Sequence, residues 1–181
     1  MKKIIYGVMA IALLSFSNSA NAQMEIKGAN FINLGLGVGV APTSIGFNAS
    51  FEHGFFRDIS IGGLFDIHTG HGDYYYGGGY LGGYNYNRRV STVGIAVRGS
   101  YHFNRLMRLR QKNVDLYAGA ATGVNINHYS YDNNGPDGYA SNDLLIGVHA
   151  GAKYFVSDHF GFFGELSSYN SILKIGIALK F

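Results

Sequence analysis

Taken two residues at a time, residues 23–181 fall into eight stretches with one apolar set of positions and one small or polar set. A β-strand with two unlike faces needs that period, because successive side chains point to opposite sides. The first stretch sets Ile32, Leu34, Leu36, Val38 and Val40 against Asn33, Gly35, Gly37 and Gly39. The second sets Ile45, Phe47, Ala49 and Phe51 against Gly46, Asn48, Ser50 and Glu52, and the third Ile59, Ile61, Phe65 and Ile67 against Ser60, Gly62, Asp66 and His68. In the fourth, Val93, Ile95, Val97, Tyr101 and Phe103 oppose Gly94, Arg98, Ser100 and His102. In the fifth, Leu116, Ala118, Ala120, Val124 and Ile126 oppose Asp115, Tyr117, Gly119 and Asn125. The sixth sets Leu144, Ile146, Val148, Ala150 and Tyr154 against Gly147, His149, Gly151 and Lys153. Phe160, Phe162 and Leu166 oppose Glu165 in the seventh, and Leu173, Ile175, Ile177, Leu179 and Phe181 oppose Lys174, Gly176, Ala178 and Lys180 in the eighth.

Every charge within these stretches lies on the second face: Glu52, Asp66, Asp115 and Glu165 against Arg98, Lys153, Lys174 and Lys180. Equal numbers of each sign suit a closed interior, since a buried ion without a partner costs several kcal/mol. The pattern predicts an all-β fold: an eight-stranded antiparallel transmembrane up-and-down β-barrel with its apolar face on lipid. A soluble barrel alternates too, but turns a charge-rich face to water. Here charged residues are only 14% of the chain, while Gly (27), Tyr (14) and Phe (13) are abundant. An average soluble domain is roughly 25% charged.

Lys2 and Lys3, the apolar run Ile4 to Leu14 and the small residues Ser19, Ala20, Asn21 and Ala22 read as a cleaved signal peptide over 1–22. The run is shorter than the roughly 20 residues of a spanning helix. The expected domain is then 23–181, and without Lys2 and Lys3 the formal charge falls from +3 to +1. Such a balance gives no electrostatic reason to expect nucleic acid. The chain has no cysteine, so neither disulfides nor thiolate metal sites hold it together.

Short turns are expected around Arg57 and Asp58, around Ser157 and Asp158, after Val40 and around Asn170, and long loops over Thr69 to Arg89 and His128 to Asn142. In membrane barrels short turns face the periplasm and long loops the exterior, which places both termini on the periplasmic side. The turn from Asn104 to Asn113 is long for its side and carries Arg105, Arg108, Arg110 and Lys112. It reads either as a solvated basic turn or as a contact for anionic headgroups of the inner leaflet.

The last ten residues, Ile172 to Phe181, alternate apolar with small or basic residues and end on an aromatic. This resembles the C-terminal signal, here Ile175, Ile177, Leu179 and Phe181, by which the barrel-assembly machinery takes up outer-membrane barrels. With the leader and the eight stretches, the chain resembles the OmpA/OmpX-like, porin-family outer-membrane β-barrel proteins, its Gly-rich first strand and the Phe160 to Leu166 stretch being most like Bacteroidetes versions. The resemblance implies a Gram-negative outer-membrane location, periplasmic chaperones and the assembly machinery as partners in biogenesis, and outer-membrane lipids as surroundings. It brings no catalytic residues, and nothing after Phe181 matches the peptidoglycan-binding domain of OmpA.

Candidate chemistry is sparse. Asp66, His68, His71 and Asp73 have metal-ligand types, but alternation keeps only Asp66 and His68 on one face, and a solvated loop explains the rest. His128 and Ser130 resemble the His-x-Ser pair of PagL-type lipid A deacylases. Asn142, with Asp143 beside it, stands where that family has a glutamate, so the base lacks its orienting partner. Tyr74, Tyr75, Tyr76, Tyr80, Tyr84 and Tyr86 form either an outer aromatic girdle or an adaptable surface for an extracellular ligand. No cofactor and no enzymatic activity are expected. An eight-stranded interior is just wide enough for side chains. The expected role is structural or surface-interacting, with a narrow solute channel as the second reading and a lipid A deacylase as a minor third.

Overall fold

The computed structural model describes residues 24–39, 44–76, 84–109, 111–131 and 138–181, by backbone alone over 71–76 and 84–88. The leader expected over 1–22 lies outside them. Eight strands follow in order: β1 (Asn30–Gly39), β2 (Ile45–Phe56), β3 (Ile59–Tyr76), β4 (Tyr84–His102), β5 (Val114–Tyr131), β6 (Tyr139–Phe155), β7 (Phe160–Ser167) and β8 (Ser171–Lys180). Each pairs antiparallel with its chain neighbours, and β1 pairs with β8, so the sheet closes. Closure leaves no strand edge with unpaired amides, which a sheet in hydrocarbon requires.

The predicted alternation maps onto the two sides of the wall. Leu36, Val38, Ile45, Phe47, Ile95, Val97, Ile146, Val148 and Ile175 are exposed on the outside, whereas Glu52, Asp66, Arg98, Asp115, Lys153, Glu165 and Lys174 are buried within. That distribution inverts a water-soluble barrel. The upper limit of the apolar belt is level across strands: Ile67 pairs with Val93 and Val93 with Ile126, while one outward step higher Thr69 pairs with Ser91 and Ser91 with His128. On β3 the belt runs from Ile59 to Ile67, close to the 9–11 residues with which a tilted strand crosses a bilayer. The chain therefore has a transmembrane β-barrel fold.

The strands are of two lengths. β3, β4, β5 and β6 have 18, 19, 18 and 17 residues, against 10, 12, 8 and 10 in β1, β2, β7 and β8. This corrects the expected long loops. Pairing of β3 with β4 continues to Tyr76 and Tyr84, and pairing of β5 with β6 continues to Tyr129 and Tyr139. Between those strands, 77–83 and 132–137 lie outside the described residues. Polarity marked these segments as loops because they leave the lipid, but backbone hydrogen bonds of a hairpin do not depend on an apolar face, and Tyr and Thr favour extended backbone. Four strands thus rise above the belt on one side of the barrel. At about 3.4 Å per residue, Thr69 to Tyr76 adds roughly 25 Å along the strand.

The opposite, lower end carries both ends of the barrel, where Asn30 and Phe181 exchange backbone hydrogen bonds. Residues 24–29 fold across this mouth. Gly28 has a φ of +79°, a left-handed bend that glycine takes without strain. Its amide donates to the Gly54 carbonyl, while the Gly54 amide donates to Ala29. The bend drives Met24 and Ile26 inward against Phe31, Phe155, Phe163 and Ala178. Burying a side chain of that size stabilises by about 1.5–3 kcal/mol, which with the backbone hydrogen bonds to Gly54 offsets the cost of ordering the segment. Gly35 and Gly176 leave room for the Phe163 ring, which a Cβ at either position would approach to 2.8 Å.

Candidate functional site

Above the plug the lumen holds a charged layer built on Arg98, which is only 2% exposed. Its Nε lies 3.2 Å from Glu52 Oε1, and its Nη2 donates to Glu165 Oε2 at 2.8 Å. Glu165 also accepts from Lys174 at 3.2 Å and from the Tyr117 hydroxyl at 3.1 Å. Lys174 stands 4.0 Å from Asp66. Lys153 approaches Asp115 at 3.4 Å and sits over the rings of Phe31 and Tyr117 at 4.3 and 4.4 Å. Gly151 makes room for Tyr117, whose hydroxyl would lie 2.6 Å from a Cβ there.

Of the eight predicted lumen charges, seven meet in this way and Lys180 does not. Lys180 is half-buried at the lower mouth, with its ammonium 5.5 Å from the Phe155 ring. β8 ends at Lys180, so its long side chain reaches the rim and not the interior. The group that meets an acid in its place is His102, hydrogen-bonded through Nδ1 to Asp115 Oδ1 at 2.7 Å. Alternation placed His102 on the inner face, but formal charge counting passed over it.

His102 also joins an arrangement that sequence reasoning missed. Its Nε2 lies 2.9 Å from Ser60 Oγ, so Asp115, His102 and Ser60 have the order of a hydrolytic triad. The hydrogen of Ser60, however, goes to Glu52 Oε2 at 2.6 Å. A nucleophilic serine directs that hydrogen at the histidine acting as base. Ser60, His102 and Asp115 are all fully buried, so no substrate carbonyl reaches the hydroxyl. The chain from Glu52 to Asp115 is packing polar groups, each given a partner.

One inward step above Arg98 the lumen turns apolar: Leu64, Ala96, Ala121 and Leu145 pack with Tyr169, which folds in from the turn between β7 and β8. The Tyr169 ring lies 4.2 Å from the Lys174 ammonium. Asn170, at a φ of 39°, donates to Asn125 Oδ1 at 3.0 Å and approaches Asp66. This layer is the floor of a polar vestibule of about 290 Å³ that opens upward, lined among others by Ser44, His68, Thr92, Asn127, Asp143 and Asn170. Within it Thr92 donates to Asn127 at 2.7 Å and Asn127 donates to Asp143 at 2.6 Å.

The remaining sequence candidates separate. Asp66 and His68 are buried on the inner face, and His68 Nε2 lies 3.0 Å from Ser171 Oγ. The side chains of His71 and Asp73 lie outside the described ones, and no metal-ligating cluster of three occurs among the described residues. His128 is exposed on the outer face, with Asn142 on the outer face of the adjoining strand, opposite Ile126. Asp143 is occupied with Asn127 on the lumen side, so this carboxylate faces away from the His-x-Ser pair. Tyr74 pairs with Tyr86 and Tyr76 with Tyr84 along the raised hairpin, with Tyr75 between them. The expected tyrosine loop is therefore strand at these positions, and Tyr80 lies outside the described residues. Ile175 and Phe181 of the terminal signal are exposed on the outer face, with Ile177 and Leu179 half-buried on the same side.

No protein-family model matches the sequence, and no curated protein does. Solved structures do match in fold. The outer membrane protein OprG from Pseudomonas aeruginosa superposes with a TM-score of 0.64 at 12% identity, over 88% of this chain and 98% of that one. The N-terminal β-barrel domain of Pseudomonas aeruginosa OprF gives 0.53 at 12% identity, over 86% and 98%. A barrel from de novo design of transmembrane β-barrels gives 0.51 at 13% identity, over 88% and 100%. The fold is thus that of the small eight-stranded transmembrane β-barrels.

Proposed function

We propose that this chain is an exported, integral outer-membrane protein whose barrel is a sealed anchor, and that its specific role is interaction at the surface through the raised wall of β3 to β6. The observation that carries the reading is the blocked lumen. The plug of Met24 and Ile26, the Arg98 layer and the Tyr169 layer fill it in succession. A barrel of this width has no spare radius for water once such layers are in place. On the upper side the vestibule and the wall above it stay open, and at the lower mouth a groove of about 920 Å³ runs beside the 24–29 segment. Lipids of the outer membrane surround the belt, the terminal strand is offered to the assembly machinery after passage with periplasmic chaperones, and an extracellular ligand meets the wall.

Planar-bilayer recording tests the sealed lumen. Purified, folded protein should leave the bilayer silent, and reproducible single-channel steps would overturn the reading. One observation favours a second reading, a narrow channel: the 290 Å³ vestibule already penetrates to the Tyr169 layer, so displacement of Tyr169, re-pairing of Arg98 and release of the Met24 and Ile26 plug would join it to the lower mouth. The same recording separates the two. For the deacylase reading, lipid A from cells with and without the protein should give the same mass spectrum.

A further inference from the structure

The apolar belt does not stop at the barrel's lower end on the side of β4. The turn that follows His102 is tightly built: Met107 donates to the Phe103 carbonyl, Arg108 to Arg105 and Leu109 to Asn104. Buried Asn104 ties it to the lumen, donating to Asp115 Oδ1 at 3.0 Å and accepting from the Leu116 amide at 2.9 Å. A turn held this firmly fixes what it presents, and it presents Leu106 at 68% exposure and Met107 at 57%. These lie next to the outward Tyr101 and Phe103, whose rings meet edge to face at 5.1 Å. Across the adjoining turn, Phe55 and Phe56 are exposed as well.

The exposed charges around this apolar tip are all basic. Arg57, Arg108 and Lys112 are exposed, and Arg105 is half-exposed and paired with Asp58. Asp58 is the only acid in either turn, and Arg108 and Lys112 have no ion-pair partner among the described residues. Basic residues beside exposed Leu and Met, continuous with a lipid-facing belt, are the composition of a surface that sits at a bilayer interface. Cations there gain from anionic headgroups.

We propose that the 103–109 turn with Lys112 is a binding site for anionic phospholipid in the leaflet at the barrel's lower end, with Leu106 and Met107 set among the acyl chains and Arg108 and Lys112 on the phosphate. Arg105 is a positioning residue, holding the turn to Asp58. A water-exposed turn, or a protein docked on the tip, are the competing occupants.

The chain has no tryptophan, so Leu106→Trp supplies a unique fluorophore at the tip. The L106W protein is reconstituted in vesicles of phosphatidylcholine with phosphatidylglycerol, either lipid carrying brominated acyl chains. The expected result is blue-shifted emission quenched more strongly by brominated phosphatidylglycerol, an association preference of roughly fivefold for each cation engaged. The preference should fall toward one at high salt and in L106W carrying Arg108→Gln and Lys112→Gln. Heat-dependent gel mobility confirms that each variant is folded. Water-like emission that neither lipid quenches would overturn the proposal, as would equal quenching by both. Anionic preference that survives the double substitution would also overturn the assignment to Arg108 and Lys112.

Discussion

Arg98 is the most exacting test of the lumen. Replacing it by Met keeps the length of the stem and removes the guanidinium from between Glu52 and Glu165. Taking one partner from a buried ion pair costs about 3–5 kcal/mol, because the other charge stays behind without compensation. The two carboxylates are not left equally. Glu165 retains the Lys174 ammonium at 3.2 Å and Tyr117 at 3.1 Å, whereas Glu52 retains the neutral Ser60 and Ser100 hydroxyls and only the longer-range attraction of Lys153. Most of the loss therefore falls on Glu52, and a second change, Glu52→Gln, should return about 1–3 kcal/mol of it. Glu165→Gln should return less, since it also strips Lys174 of its nearer acid. With no tryptophan to follow, far-UV circular dichroism in a urea titration of protein refolded into phospholipid vesicles gives the stabilities, with gel mobility as a second probe. A loss below about 1 kcal/mol for R98M would refute the account of the layer. Better rescue by E165Q than by E52Q would refute the division of charge within it.

Other outcomes follow from single contacts. Gly62→Ala places a Cβ 1.7 Å from the Phe51 carbonyl oxygen, while Gly164→Ala meets nothing within 4 Å; the first should cost about 1–3 kcal/mol by the same titration and the second less than about 0.5. Ile26→Asp should release the plug, because a carboxylate cannot remain among Phe31, Phe155 and Phe163. Trypsin should then cut at Lys27 much faster while the barrel keeps its folded gel mobility, and unchanged cleavage would show that the segment is not held by burial. Asp143→Asn, in the open vestibule with Asn127 as its partner, should change stability by less than about 0.5 kcal/mol.

The lumen shows where reading along the chain succeeds and where it stops. A strand has a side-chain period of two, so each residue's face follows from its neighbours alone. Glu52, Asp66, Arg98, Asp115, Lys153, Glu165 and Lys174 could all be placed inside before any partner was known. Their partners are set by strand register and by the tilt of a closed sheet, which join residues as distant as Arg98 and Glu165. Formal charge suggested Lys180 as the fourth base, and only the end of β8 at the rim shows why it is absent and His102 is present.

Alternation along the chain by itself determined an eight-stranded barrel, its lipid-facing side, its inward charges and its short turns, because these depend on local period and on the scarcity of charge that lipid allows. Three things were left to the tertiary structure. Backbone pairing beyond the lipid has no hydrophobic signature, so the raised wall of β3 to β6 looked like loops. Residues 24–29 carry no period and become a plug only because the closed barrel offers Met24 and Ile26 a pocket. Tyr169, on a short turn, becomes part of the vestibule floor only because the turn folds into the lumen against Leu64 and Leu145.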